Sequence, residues 1–151
     1  MLYLKLTNGQ PEKYSIGQLR RDNPNTSFPK NPTESRLAEW SVYPYTQPAQ
    51  PEIDPLTATV VEGSFEQDAG GNWILPWVVQ QLSVEDAGNN VRARRDRFLK
   101  DSDWVVIKNT EKGTNIPLEW ELYRQTLRDI PQQEGFPYSV TWPTEPGVPA
   151  I

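Results

Sequence analysis

The 151-residue chain has no cysteine and no histidine. Within it, disulfide staples, thiolate zinc sites, cysteine nucleophiles, Ser-His-Asp triads and imidazole proton relays are therefore excluded. Catalysis would have to rest on carboxylates, and no cofactor is implied. Basic charge is also short. Fifteen Lys and Arg stand against twenty Asp and Glu, a net charge of -5, which opposes nonspecific attraction to a polyanion, so nucleic acid is not an expected partner. No apolar run approaches the roughly 20 residues a membrane span needs, and the amino terminus lacks a signal sequence. The expectation is a soluble protein made in the cytoplasm, without membrane contact.

Proline and aromatic residues are plentiful. Fifteen prolines, about twice the usual share, point to many extended or turning connections. Hydrophobic residues are only 36% of the chain and mean hydropathy is -0.70, yet six Trp, six Tyr and four Phe carry large buriable surfaces, so a folded chain with a modest core is expected.

Leu2, Leu4 and Leu6 share one face of an opening strand, and Asn8-Gly9 supplies the two positive-φ residues of a type I′ turn. The return strand is short and lies at an edge, because Pro11 removes a ladder donor. Ser15 caps a short helix over Ile16 to Arg21 that Asn23-Pro24 ends, and Thr33 caps a second, Glu34 to Glu39, with Leu37 and Trp40 as core anchors. Ser41 to Tyr45 reads as a strand, and the prolines from Pro44 to Pro55 as a semi-rigid connector. Leu56 to Gln67 reads as one long strand, the Asp68 to Asn72 loop as a turn, and Trp73 to Leu82 as the partner strand, with Trp73 and Trp77 on one face and Pro76 at an unbonded edge position.

Ser83 with Asp86 resembles a capping box that starts a helix running to about Lys100, with Ala87, Val91 and Phe98 on a thin apolar face. Asp101 to Ile116 reads as a loop carrying Trp104 to Ile107 as an apolar insertion. Pro117 then opens a second helix, Leu118 to Ile130, with Leu118, Leu122, Tyr123, Leu127 and Ile130 as its apolar stripe. The expected seam is Val91, Phe98, Trp104, Leu118, Trp120, Tyr123 and Leu127, and truncating Trp104 should cost roughly 3 to 5 kcal/mol. From Gly135 the proline-rich tail should run back across the helices with its aromatics docked and its last five or so residues free.

The fold class is thus α+β. Its parts are an amino-terminal α+β module over 1–46, a connector over 47–55, a β-hairpin over 56–82, an antiparallel helical hairpin over 83–134 and an extended tail over 135–151.

The densest charge cluster is Arg92, Arg94, Arg95, Arg97 and Lys100. Five acids between Glu85 and Asp103 balance it, so a solvated helix with local ion pairs, and one arginine bridging to the second helix, outweighs phosphate contact. The Asp68 to Asn72 loop lacks the features of a Walker loop or an EF-hand and reads as a hairpin turn. Glu62 and Glu66 are the nearest approach to an acid-base pair but fit a solvated strand face better. Aromatics with arginines fit a protein-binding surface as well as a core.

The carboxyl-terminal half carries Val91 to Leu99, then Ser102-Asp103-Trp104, Glu119-Trp120, Tyr123 to Pro131, Gly135-Phe136-Pro137 and Val140 to Pro143. This ordered succession, over about residues 87 to 148, resembles the bacteriophage tail assembly chaperone family. The loop from Val105 to Ile116 departs by being more apolar at its start. The amino-terminal stretch is similar to domains found beside such segments in tail-fibre-region proteins. The resemblance implies a non-catalytic protein that binds a tail-fibre or other tail or baseplate component in the host cytoplasm during assembly, with self-association as a further option. A lasting place in the virion tail is the alternative, and a carboxylate-dependent hydrolase a third class. Expected partner contacts are Arg92, Arg95, Arg128, Trp73, Trp77, Tyr138 and Trp142. Arg128 has Asp129 or Asp96 as an alternative, internal partner.

Overall fold

The computed structural model describes residues 1–147 and has the α+β composition expected, β-rich first and helical later. The chain divides into two compact units, Met1–Glu52 with Val60–Val79, and Ile53–Thr59 with Gln80 onward.

In the first unit, β1 (Leu2–Thr7) and β2 (Gln10–Tyr14) form the expected hairpin, with φ of 53° at Asn8 and 78° at Gly9. The sheet order places β2 at an edge, followed by β1, β3 (Val42–Thr46), β6 (Trp73–Ile74) and β5 (Glu66–Gln67). β3 is antiparallel to β1 and parallel to β6. Strand alternation sends Leu4, Leu6, Tyr43 and Tyr45 to one face, with Leu75, Phe65 and Trp73. The other face carries Tyr3, Tyr14 and Val42 toward α1 (Ile16–Asp22) and α2 (Glu34–Ala38), where Leu19 and Leu37 are fully buried. Ser15 and Thr33 cap these helices, accepting from the backbone N–H groups of Gln18 and Arg36. Of the three opening leucines only Leu2, at the strand's start, remains exposed.

The long hairpin expected from Leu56 to Leu82 is broken on both sides. β4 (Ala58–Glu62) and β7 (Trp77–Gln81) form a two-stranded ribbon of their own, while β5 and β6 join the five-stranded sheet. Gly63 and Pro76 account for the break. Pro76 has no N–H to extend a ladder, and the Gly63 N–H donates to the Pro76 carbonyl at 2.8 Å, an approach that leaves only 3.1 Å between an added Cβ and Val78. Trp73 and Trp77 consequently lie on different strands and do not share a face.

The second unit contains α3 (Val84–Asp101), α4 (Asp103–Lys112) and α5 (Leu118–Asp129), then a 3-10 turn at Ile130–Gln132. Ser83 and Asp86 make the reciprocal cap: the Ser83 hydroxyl accepts from the Asp86 N–H at 3.0 Å and donates to its carboxylate at 2.7 Å. Helix α4 corrects the expectation of a loop. Its four consecutive apolar residues have no helical period, and Ser102 makes no side-chain cap for it, so its start has no local signature. Tertiary packing supplies what is missing, since Val105 is buried, and Gly113 ends the helix in the left-handed region at φ 62°.

Val91, Tyr123, Leu127 and Ile130 form the buried core here, with Phe98, Leu99, Trp120, Phe136, Val140 and Trp142 packed on it. Two expected seam residues, Trp104 and Leu118, are not in it, nor is Leu122 of the expected apolar stripe. Trp104 is 51% exposed, Leu118 67% and Leu122 59%. Trp104 packs edge-to-face on Trp120 at 5.7 Å, outside the core. Gly135 to Ser139 forms a turn, closed by Ser139 N–H donating to the Gly135 carbonyl, and residues 140–145 have no regular element. The Gln133 side chain holds this segment at two points, donating to the Thr141 carbonyl and accepting from its N–H. The expectation for the free end concerns residues 148–151, which lie outside the described residues.

Candidate functional site

The carboxyl-terminal helices are joined by one side chain. From α5, Arg124 Nη1 donates to the Leu99 carbonyl at 2.7 Å and to Ser102 Oγ at 2.6 Å, and Nη2 donates to Asp103 Oδ1 at 2.8 Å. The fully buried Ser102 hydroxyl reaches back to the carbonyls of Phe98 and Leu99. The guanidinium thus adds a charged donor to the Leu99 carbonyl in the last turn of α3, which also accepts from Ser102, and complements the helix dipole. Arg124 is the arginine that bridges helices. It comes from α5 and not from the α3 cluster, and sequence reasoning missed it. The available signal was the pairing of Ser102-Asp103 with Arg124 inside the two motif segments.

Beside this junction lies an open groove of about 450 Å³. Val106, Ile116, Leu118 and Leu122 give it an apolar floor, and Glu121, Gln125 and Arg128 stand along it. Spacing on α5 explains the arrangement. Leu118, Leu122 and Gln125 recur at four and three on one stripe, whereas Trp120, Tyr123 and Leu127 recur at three and four on the buried one. On α4, Val106 follows the buried Val105 by one position and so sits about 100° round the helix. Ile107, 57% exposed, continues the outward apolar surface. Exposed large apolar side chains collected on one helix pair are unusual for a surface with nothing to bind.

Of the seven residues expected to contact a partner, only Arg128 borders this groove. Its nearest acceptor is Gln125 Oε1 at 3.5 Å. Neither carboxylate considered for it is engaged with it: Asp96 pairs with Arg95 at 2.6 Å, and Asp129 accepts from the Gln125 amide. The other six have intramolecular contacts. Arg92 lies 5.0 Å over the Phe136 ring. Arg95 is spent on Asp96. Trp142 packs edge-to-face on Phe98 at 5.5 Å with Arg94 stacked 4.9 Å over it. Tyr138 donates to the Leu82 carbonyl at 2.7 Å, Trp77 Nε1 donates to the Pro48 carbonyl at 2.9 Å, and Trp73 packs on Leu4, Tyr45 and Leu75. With Arg97 facing Asp101 at 3.8 Å, the basic face of α3 is a solvated one with local pairs.

Of the acids considered, Glu62 and Asp68 are engaged within the first unit, and Glu66 is an exposed residue of β5. Glu62 accepts from Lys13 at 2.6 Å and from Gln47 at 3.1 Å, and these bonds hold its carboxyl below the usual range, the direction opposite to that of a general acid. Asp68 Oδ1 accepts from the backbone N–H groups of Gly70 and Asn72 at 2.8 and 2.9 Å, closing the turn between β5 and β6. Bonds from Asn72 lead in holding its carboxyl low. Among the described residues, no three metal-ligating side chains converge, and no helix is long and apolar enough to cross a membrane.

No curated protein and no solved structure matches the chain. Residues 88–147, from α3 through the segment packed against its core, match the family described as phage tail assembly chaperone protein.

Proposed function

We propose that the protein works stoichiometrically and without catalysis, binding a phage tail-fibre or other tail or baseplate subunit in the host cytoplasm through the exposed apolar face of α4 and α5. The exposure of Leu118 and Leu122 within a tail assembly chaperone segment carries this reading. Burying them on a partner removes apolar surface from water at about 25 cal/mol per Å², while their present exposure contributes little to the fold. Arg128, beside them, is the partner-contact residue retained from the sequence. Arg92, Arg95, Tyr138 and Trp142 act mainly by shaping the unit that presents this face, and Trp73 and Trp77 by packing within the first unit.

The test is co-expression with the neighbouring tail genes followed by affinity purification. A tail subunit should co-purify with the native chain and be lost with Leu122→Ser, whose fold should be intact by circular dichroism. Retention of the subunit by that variant would move the binding site elsewhere. Mass spectrometry of purified particles should find the chain absent or substoichiometric; a symmetric copy number would instead make it a resident part of the tail.

A further inference from the structure

We infer that the occupant of the α4–α5 groove is an amphipathic helix of the tail subunit, bearing a carboxylate opposite Arg128 and a basic side chain opposite Glu121, about two turns away. The inference deepens the reading above and rests on it.

Three observations favour this occupant. Apart from Ile116, in the short link between them, the groove walls are the helices α4 and α5, whose backbone groups are satisfied internally, so an incoming strand would find no strand edge to pair with. No aromatic ring lines the groove, which removes the usual basis for a polyproline ligand. An occupant that must satisfy its own backbone while offering a row of apolar side chains is a helix. From Leu118 to Arg128 the groove follows α5 for ten residues, about 15 Å, enough for nearly three turns.

Charge sets the order of contacts. Among the described residues, no carboxylate lies within ion-pair distance of Arg128 and no cation within that distance of Glu121, whereas the charge of Arg124 is already met by Asp103. Glu121 and Arg128 are seven residues apart, on the same side of α5 and about 10.5 Å along its axis. A complementary helix carries its acid and base at the same spacing. Acids favour helix amino termini and bases carboxyl termini, so this charge order suits a helix running antiparallel to α5.

The experiment uses the full chain and two capped synthetic helical peptides with one leucine stripe, one carrying glutamate and lysine seven residues apart in the matching order and the other with the two exchanged. Titration calorimetry at low salt should show the matched peptide binding about fivefold tighter. The Glu121→Lys, Arg128→Glu double variant should reverse that preference, and methyl NMR shifts should fall on Ile116, Leu118 and Leu122. Equal affinities, no binding, shifts away from the groove, or the same shifts arising from chain concentration alone, which would mark a second copy as occupant, each overturn the inference. If any of these results accompanies co-purification that Leu122→Ser still abolishes, the tail-binding reading stands and only the helical occupant falls.

Discussion

Arg124 on α5 and Asp103 at the start of α4 lie 2.8 Å apart, and the same guanidinium holds the Leu99 carbonyl in the last turn of α3 and the Ser102 hydroxyl. Three helices therefore depend on one planar group. Its side chain is only 11% exposed while that of Asp103 is 53%, so replacing Arg124 leaves a carboxylate that water can reach, and takes a charged donor from a carbonyl and a hydroxyl that keep only their bond to each other and to the end of α3. Arg124→Met should destabilise the second unit by about 2 to 3 kcal/mol in urea unfolding. Arg124→Lys should recover only part of this, because an ammonium cannot reproduce the planar fork. A loss under about 0.5 kcal/mol would show that the junction does not need it.

Core placement separates Leu127 from Trp104. Leu127 is fully buried in the core of the second unit, so Leu127→Ala should cost about 2 to 5 kcal/mol. Trp104 is half exposed and chiefly packs on Trp120, so Trp104→Ala should cost about 1 kcal/mol. Thermal melts of the two variants side by side would reverse this ordering if α4 were buried as the apolar run from Trp104 to Ile107 implies on its own.

Two glycines of the second unit should respond oppositely to alanine. At Gly135 an added Cβ would clash with the Ser139 carbonyl oxygen, which the turn holds in place, so Gly135→Ala should destabilise by about 1 to 3 kcal/mol. At Gly88, inside α3, the nearest atom is the mobile end of Arg92 at 3.0 Å and the Phe136 ring is at 3.5 Å. Gly88→Ala should therefore gain some of the roughly 1 kcal/mol that glycine costs a helix interior. Equal losses in chemical denaturation would contradict the close approach at Gly135.

Tyr14 gives the first unit an alkaline limit. Burial, then its hydrogen bond to Asp22, pushes its hydroxyl up to about 12 from an ordinary 10.0. Because the folded value is the higher, the stability this group contributes is fully present below pH 10 and is lost as pH rises toward 12. The native chain should exceed Tyr14→Phe in stability by about 1 kcal/mol at neutral pH, with the difference shrinking in that window. A difference that does not vary with pH would place the hydroxyl in water.

Local signals were legible in the chain because their physics is local. Asn8-Gly9 adopts positive φ whatever surrounds it, and Ser15, Thr33 and Ser83 cap by bonds that reach only three residues ahead. The candidate site was legible only as a segment, through the motif order from Val91 to Pro143. Its exposed residues were not, since Leu118 and Leu122 continue the same apolar pattern as Tyr123 and Leu127, and periodicity does not say how wide a buried stripe will be.

The sequence by itself determined the α+β composition, the capped helices, the opening hairpin and the tail-assembly resemblance, all carried by short-range geometry or by motif order. Tertiary structure alone decided that Trp104 to Ile107 would be helical, that β6 would lie parallel to β3, and that Arg124 would join three helices. Each of those depends on which distant groups compete for one donor, acceptor or apolar surface, and that competition is settled only when the chain has closed on itself.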